Sequence, residues 1–272
     1  MCLMAWSWQP GAPRSLLLAA NRDEWLRRPS APMHWWPSAD AGTASLLAGR
    51  DLQAGGTWLG LRRDGLFAAL TNVREPDGRD ARRPSRGQLP LRFLQGLHPC
   101  EPHAWRDAGA HAWAAELQRD MHRYAGFNLL LADLRRGEMA WVSNRAPSAP
   151  VPPGIHGLSN AALDTPWPKV RRLKQRIDAC GARASPDFEY LLAGLFDDTP
   201  ADDAELPPLP VGLELPPDWN RGLSAPCIRL PDYATRCSTL LQVDADGSVH
   251  VLEVQHQGGA RREFRWNWRA AA

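Results

Sequence analysis

The sequence predicts an α+β protein built on mainly antiparallel sheets. Three observations carry this. Strand-like runs joined by glycine turns fill both ends of the chain, and proline-led segments of helical character lie between them. The third is composition: 44% hydrophobic and 23% charged residues are globular proportions, so a real core is expected. At 272 residues the chain sits near the size where one core usually divides, and residues 1–272 are read as a single domain.

In order, strand-like runs at 2–8 and 15–21 flank a Pro10-Gly11 turn and form a hairpin. Residues 23–37, rich in Pro, Arg and Trp, read as a loop. Strands are predicted at 46–52, 57–62 and 66–72, separated by Gly55-Gly56 and Asp64-Gly65. The second separator is a hairpin signal, which supports an antiparallel meander and brings Asn72 to the end of its third strand. A polar, Arg-rich stretch at 75–86 reads as a candidate lid. Helical character begins at Gly87 and includes 101–124, with Pro102 in the first turn and a moderate apolar stripe. Strands at 127–133, 138–143 and 154–159 follow, the last ending at Asn160. Proline-started helices are predicted at 168–180 and 186–196, then a surface loop at 197–217 and strands at 235–244, 249–255 and 263–268.

Charge excludes one class of partner. The balance of 32 basic and 30 acidic residues contains no basic block of the kind that binds nucleic acid. No window has the roughly 18 apolar residues of a membrane span. The first residues lack the basic-then-apolar pattern of a secretion signal, and the five cysteines are odd in number and scattered. A reducing cytoplasm is therefore expected. His98, Cys100 and His103 cluster, but prolines interrupt the segment and no second ligand pair has zinc spacing, so no metal and no cofactor is expected.

The chemistry concentrates near the start. If Met1 is removed, Cys2 carries a free amine beside its thiol, and these groups titrate at about 7.7–8.0 and about 8.5. The amine can then accept the thiol proton, uniting nucleophile and base in one residue. The first hairpin returns Asn21-Arg22-Asp23-Glu24 beside that terminus. Asp23 suits the ammonium form there, and Arg22 suits the thiolate or a substrate carboxylate. An early cysteine as a small buried hydrophobe, and an Asn-Arg-Asp-Glu run as a solvated turn, are the plain alternatives.

A resemblance shifts the balance. Cys2, Asn21-Arg22-Asp23-Glu24, Ala48-Gly49-Arg50-Asp51 and Gly55-Gly56-Thr57-Trp58-Leu59-Gly60 are followed by Ala69-Leu70-Thr71-Asn72 and Ser85-Arg86-Gly87. Gly126-Phe127-Asn128, Leu158-Ser159-Asn160, Asp164-Thr165-Pro166-Trp167-Pro168-Lys169 and Tyr233-Ala234-Thr235-Arg236-Cys237-Ser238-Thr239 complete the series. In this order they resemble the NRDE-motif family, the transport and Golgi organisation group, over residues 1 to about 245. Ala234 and Cys237 depart from its pattern, where glycine and serine are usual.

The resemblance implies an N-terminal nucleophile hydrolase-like fold, a four-layer αββα sandwich of two stacked, mainly antiparallel sheets. By similarity to the cholylglycine hydrolase and penicillin V acylase relatives it implies a catalytic set of Cys2, Arg22, Asp23, Asn72, Asn160 and Arg236. Those enzymes place the first arginine where this chain has Ala20. Arg22 shares a strand face with Ala20 if the strand continues, and so reaches the same space. Trp35, Trp36, Trp58, Arg50 and Lys169 are the candidate substrate contacts, the paired tryptophans offering an aromatic wall. The expected function is hydrolysis of an amide or related acyl bond of a small metabolite. The family's association with haem and lipid handling supplies the alternative, a non-catalytic carrier of haem, acyl-CoA or another lipophilic ligand.

Overall fold

A computed structural model describes residues 3–37, 45–76, 82–181, 185–216 and 218–269. Its first strands are β1 (Leu3–Trp8), β2 (Arg14–Trp25), β3 (Ser30–Trp36), β4 (Leu46–Asp51), β5 (Leu59–Arg62) and β6 (Leu66–Asn72). Helices α1 (Gln88–Leu94) and α2 (Ala110–Leu117) precede β7 (Phe127–Asp133), β8 (Glu138–Ser143), β9 (Ala149–Pro150) and β10 (Gly154–Leu158). Then come α3 (Pro168–Gly181), α4 (Phe188–Leu195), α5 (Trp219–Gly222), β11 (Tyr233–Asp244), β12 (Ser248–Gln255) and β13 (Arg261–Asn267).

The chain forms two compact units, 1–27 with 74–78 and 153–267, and 28–73 with 79–152 and 268–272. The first holds a six-stranded antiparallel sheet in the order β10-β1-β2-β11-β12-β13. Side chains alternate along each strand, so Leu3 and Ala5 of β1 and Leu17 and Ala19 of β2 share one face. They pack there with Leu240, Leu252 and Val254 against Val170, Leu173 and Ile177 of α3 and Leu191, Leu192 and Leu195 of α4. Each leucine fully buried in this way contributes about 2 kcal/mol. The second unit holds a seven-stranded antiparallel sheet running β3 through β9 in sequence order. Its Leu46, Ala48, Leu66, Ala68, Leu129 and Leu131 pack with Leu89 and Phe93 of α1 and Trp113 and Leu117 of α2.

Three expectations need correction. The strand expected at 15–21 runs from Arg14 to Trp25, so the whole Asn21–Glu24 tetrapeptide lies inside β2. The loop expected at 23–37 contains β3, where prolines suggested irregularity. β3 is an edge strand with a register shift between Ala31 and His34, and proline is tolerated at such places. The helix expected at 101–124 shrinks to α2, because Gly109 is the extended residue at its start and the preceding chain forms a bridge between Leu97 and Ala104. Residues 77–81 of the candidate lid lie outside the described residues.

Two glycines in the family's motifs are explained by packing in the second unit. A Cβ on Gly49 would collide with the ring of Trp58, and one on Gly56 with the backbone of Gly87, whose carbonyl accepts from Thr57 N–H at 3.0 Å. The tryptophan is itself buried, so it has little room to retreat. Gly49→Ala is expected to destabilise the protein by about 1–3 kcal/mol through overpacking. Denaturant titration of that variant beside the parent chain checks this.

Candidate active site at the Asn21–Glu24 strand

The motif in β2 and the motif in β11 are two sides of one hydrogen-bonded ladder. Asn21 pairs with Ser238, Arg22 with Cys237 and Asp23 with Thr235, a register shift falling at Arg236. Ser238 Oγ donates to Asn21 Oδ1 at 2.6 Å, and Thr235 Oγ1 donates to Asp23 Oδ1 at 2.6 Å. Thr235 Oγ1 also accepts from Ile228 N–H at 2.8 Å. Asn21, Asp23, Thr235 and Ser238 are all buried, so each bond is made away from water, where leaving it unmade is costly. Asn21 lies on the helix-covered face and spends its amide on the carbonyls of Leu195 (2.7 Å) and Pro226 (2.9 Å). It fixes the strand to the end of α4.

Behind Ser238 the network continues. His256 Nε2 is 2.9 Å from Ser238 Oγ, and its Nδ1 is 3.6 Å from Cys227 Sγ. Because the serine proton goes to Asn21, the imidazole must donate through Nε2 and accept the thiol proton at Nδ1. Burial, with Arg229 nearby, holds the His256 pKa down at about 4, and burial pushes the Cys227 thiol up. The pair is therefore neutral at pH 7 and serves to orient Ser238 and Asn21.

Alternation puts Arg22 on the opposite face of β2 from Asn21 and Asp23. It is 4% exposed and 3.9 Å from Glu24. Arg236 donates to the carbonyls of Trp25 and Leu26, both at 3.1 Å, and burial together with the charge of Arg22 lowers its pKa. Two residues in this neighbourhood escaped sequence reasoning. Glu253 is wholly buried and accepts from Gln255 at 2.7 Å. It shares a strand face with Val249 and Val251, and an acid in an apolar alternation was the available signal. The other is Trp25, which meets Trp219 at 5.6 Å and Tyr233 edge-on at 5.5 Å. These half-buried rings end the two motif strands together.

Among the other candidates of the first unit, Asn160 follows β10, its carbonyl accepting from Arg74 N–H at 2.8 Å and its Oδ1 from Ser159 at 3.2 Å. Lys169 is buried in the first turn of α3 and donates to Leu223 O at 2.9 Å. In the second unit Asn72 ends β6, beside Thr71 and Asn128, whose side chains bond at 3.2 Å. Arg50 lies over Trp36 at 4.9 Å and Arg63 over Trp35 at 4.4 Å, while buried Trp58 fills the space at Gly49. Cys2 lies outside the described residues; β1 starts at Leu3, paired with Asn21.

His98, Glu101 and His103 lie close enough to hold a cation. The geometry opposes it, because His98 Nδ1 accepts from the N–H groups of Cys100 (3.2 Å) and Glu101 (3.1 Å). The proton then sits on Nε2, facing Glu116 at 3.8 Å, and no ring lone pair is left for a metal.

Asp164, which opens the 164–169 motif of the first unit, sits at a φ of 58° and binds His156 Nδ1 (2.8 Å), Gly157 N–H (2.9 Å) and Lys174 Nζ (2.6 Å). Partial burial alone would raise its pKa, but these bonds prevail and hold it at about 2. A carboxylate depressed in this way stabilises the fold above the unfolded pKa of about 3.9, and the stabilisation is lost as pH falls through about 2. With its exposure allowed for, the effect is about 1 kcal/mol. Asp164→Asn is expected to flatten the loss of stability between about pH 4 and 2, as followed by thermal melts across that range.

The two antiparallel sheets, with their five helices among the described residues, define an N-terminal nucleophile hydrolase-like fold. An N-acylethanolamine-hydrolyzing acid amidase ortholog from Caenorhabditis elegans matches 88% of this chain and 92% of its own at a TM-score of 0.50, with 12% identity. The family follows from sequence. Residues 1–258 match Transport and Golgi organisation 2, and the chain belongs to that family. The cattle Transport and Golgi organization protein 2 homolog is 35% identical over 270 residues, covering 93% of this chain and 92% of its own. The human homolog is 33% identical over 269 residues with the same coverage. Among the described residues no helix is long and apolar enough to cross a membrane.

Proposed function

We propose that this chain is an N-terminal cysteine amidohydrolase that cleaves an amide or related acyl C–N bond of a small metabolite in a reducing cytoplasm. The observation that carries this is the buried Asn21–Ser238 and Asp23–Thr235 ladder beside the start of β1. It invests several desolvated polar groups within β2 beside Leu3, the residue that follows Cys2 in sequence. In the reaction the Cys2 amine takes the thiol proton, sulfur bonds to the acyl carbon, and Asn160 with Asn72 donates to the oxyanion. The C–N bond then breaks as the ammonium returns its proton to the leaving amine, and water cleaves the thioester. Asp23 holds the ammonium, and Arg22 and Arg236 supply the positive charge for an anionic group. Lys169, Arg50, Trp35, Trp36 and Trp58 remain the assigned substrate contacts.

A second reading is carriage of haem, acyl-CoA or another lipophilic metabolite without chemistry, and the half-buried Trp25, Trp219 and Tyr233 rings favour it. A panel of N-acyl amides separates the two. Amine release by the native chain, lost when an acetyl group blocks its terminus, supports the hydrolase; binding of an acyl amide with no turnover supports the carrier.

A further inference from the structure

We propose that β13 is the self-pairing edge of a twofold-symmetric dimer, in which a second copy of this chain lays its own β13 antiparallel along the first. The argument starts from the ladder. β13 pairs with β12 and is the terminal strand of its sheet. Gln255 N–H donates to Ala260 O at 2.9 Å, so the pair 255/260 is a hydrogen-bonded one. Such pairs alternate with non-bonded ones in an antiparallel ladder. Continuing the register, Arg262, Phe264 and Trp266 bond inward to β12, and Arg261, Glu263, Arg265 and Asn267 aim their backbone N–H and C=O groups outward. Glu263 and Arg265, which pair with each other along the strand at 2.6 Å, are half exposed or more, so the outward backbone groups of these two residues face a partner.

Register then selects the partner. An antiparallel twofold pairing that overlaps all seven residues must centre on Phe264. It sets Glu263 opposite the partner's Arg265, and Arg265 opposite the partner's Glu263, each at an outward-bonding position. Moving the centre by one residue either way spoils this. Centring on Glu263 sets two glutamates face to face and Arg261 against the partner's Arg265; centring on Arg265 sets two arginines face to face. Opposite charges directly across an antiparallel ladder stabilise it, and like charges destabilise it. The strand is therefore complementary to itself in one full-length register and repelled in its neighbours. This same set of side chains, with Phe188 and His250, lines a groove of about 880 Å³ on the helix-side face of the edge. A partner strand extends the sheet beneath that groove.

Sedimentation equilibrium of the whole chain, with the following variants, tests this. Glu263→Arg and Arg265→Glu should each weaken association by about tenfold or more, and the double exchange should restore it. Arg265→Pro should give a folded monomer, since the lost N–H points away from β12. If it unfolds instead, the charge-exchange pair decides. A parent chain that stays monomeric at high micromolar concentration overturns the proposal, as does a dimer indifferent to both single charge reversals.

Discussion

Cys2→Ala is expected to lower acyl-amide hydrolysis by about 10³-fold or more while leaving the melting temperature within a degree or two of the parent. The asymmetry follows from where the work is done. In the proposed reaction the thiol of Cys2 is the nucleophile and its terminal amine the base; alanine keeps the amine but removes the sulfur that bonds to the acyl carbon, and neither Cys227 nor Cys237 is placed to substitute. Cys237, the partner of Arg22 across the ladder, is wholly buried, and its thiol pKa is raised well above the usual range by burial and by Glu253. Cys227 is held protonated against His256. Stability, by contrast, rests on the ladder between β2 and β11, to which a side chain at position 2 is not needed. Amine release measured with saturating substrate, beside a thermal melt of each variant, checks the pair of statements. Turnover above a tenth of the parent's would assign the nucleophile elsewhere.

Asn21→Leu is expected to cost about 3–5 kcal/mol of unfolding free energy, because three buried polar groups lose their partner at once. The Leu195 and Pro226 carbonyls lose the amide donors, and Ser238 loses the acceptor that fixes its proton. Leucine fills much the same volume, so the loss is one of hydrogen bonds and not of packing. Chemical denaturation checks it. A change below about 1 kcal/mol would mean that water or a shifted backbone serves these groups instead.

Much of this was legible in the sequence because it lives in periodicity. The turn at Asp64-Gly65, the central strands at 66–72 and 127–133 and the helix at 168–181 follow from alternation, glycine and proline signals. The edge strand β3 was hidden by its prolines, which only a solvent-facing or bulged position accommodates. In the site, motif order pointed to Asn21, Asp23, Thr235 and Ser238, yet their division of labour was not readable. Which asparagine binds a backbone and which aspartate binds a threonine depends on the register between β2 and β11, across more than 200 residues of chain. Asn21 accordingly emerges as a structural clamp. His256 and Cys227 carry no spacing signal at all, since they meet Asn21 only through Ser238.

The most direct measurement is the intact mass of the native protein before and after treatment with an acyl-transferring thiol electrophile. A chain lacking Met1 that gains one acyl group, mapped by fragmentation to Cys2, is the predicted result. A chain that keeps Met1, or one acylated at a different cysteine, would contradict the account.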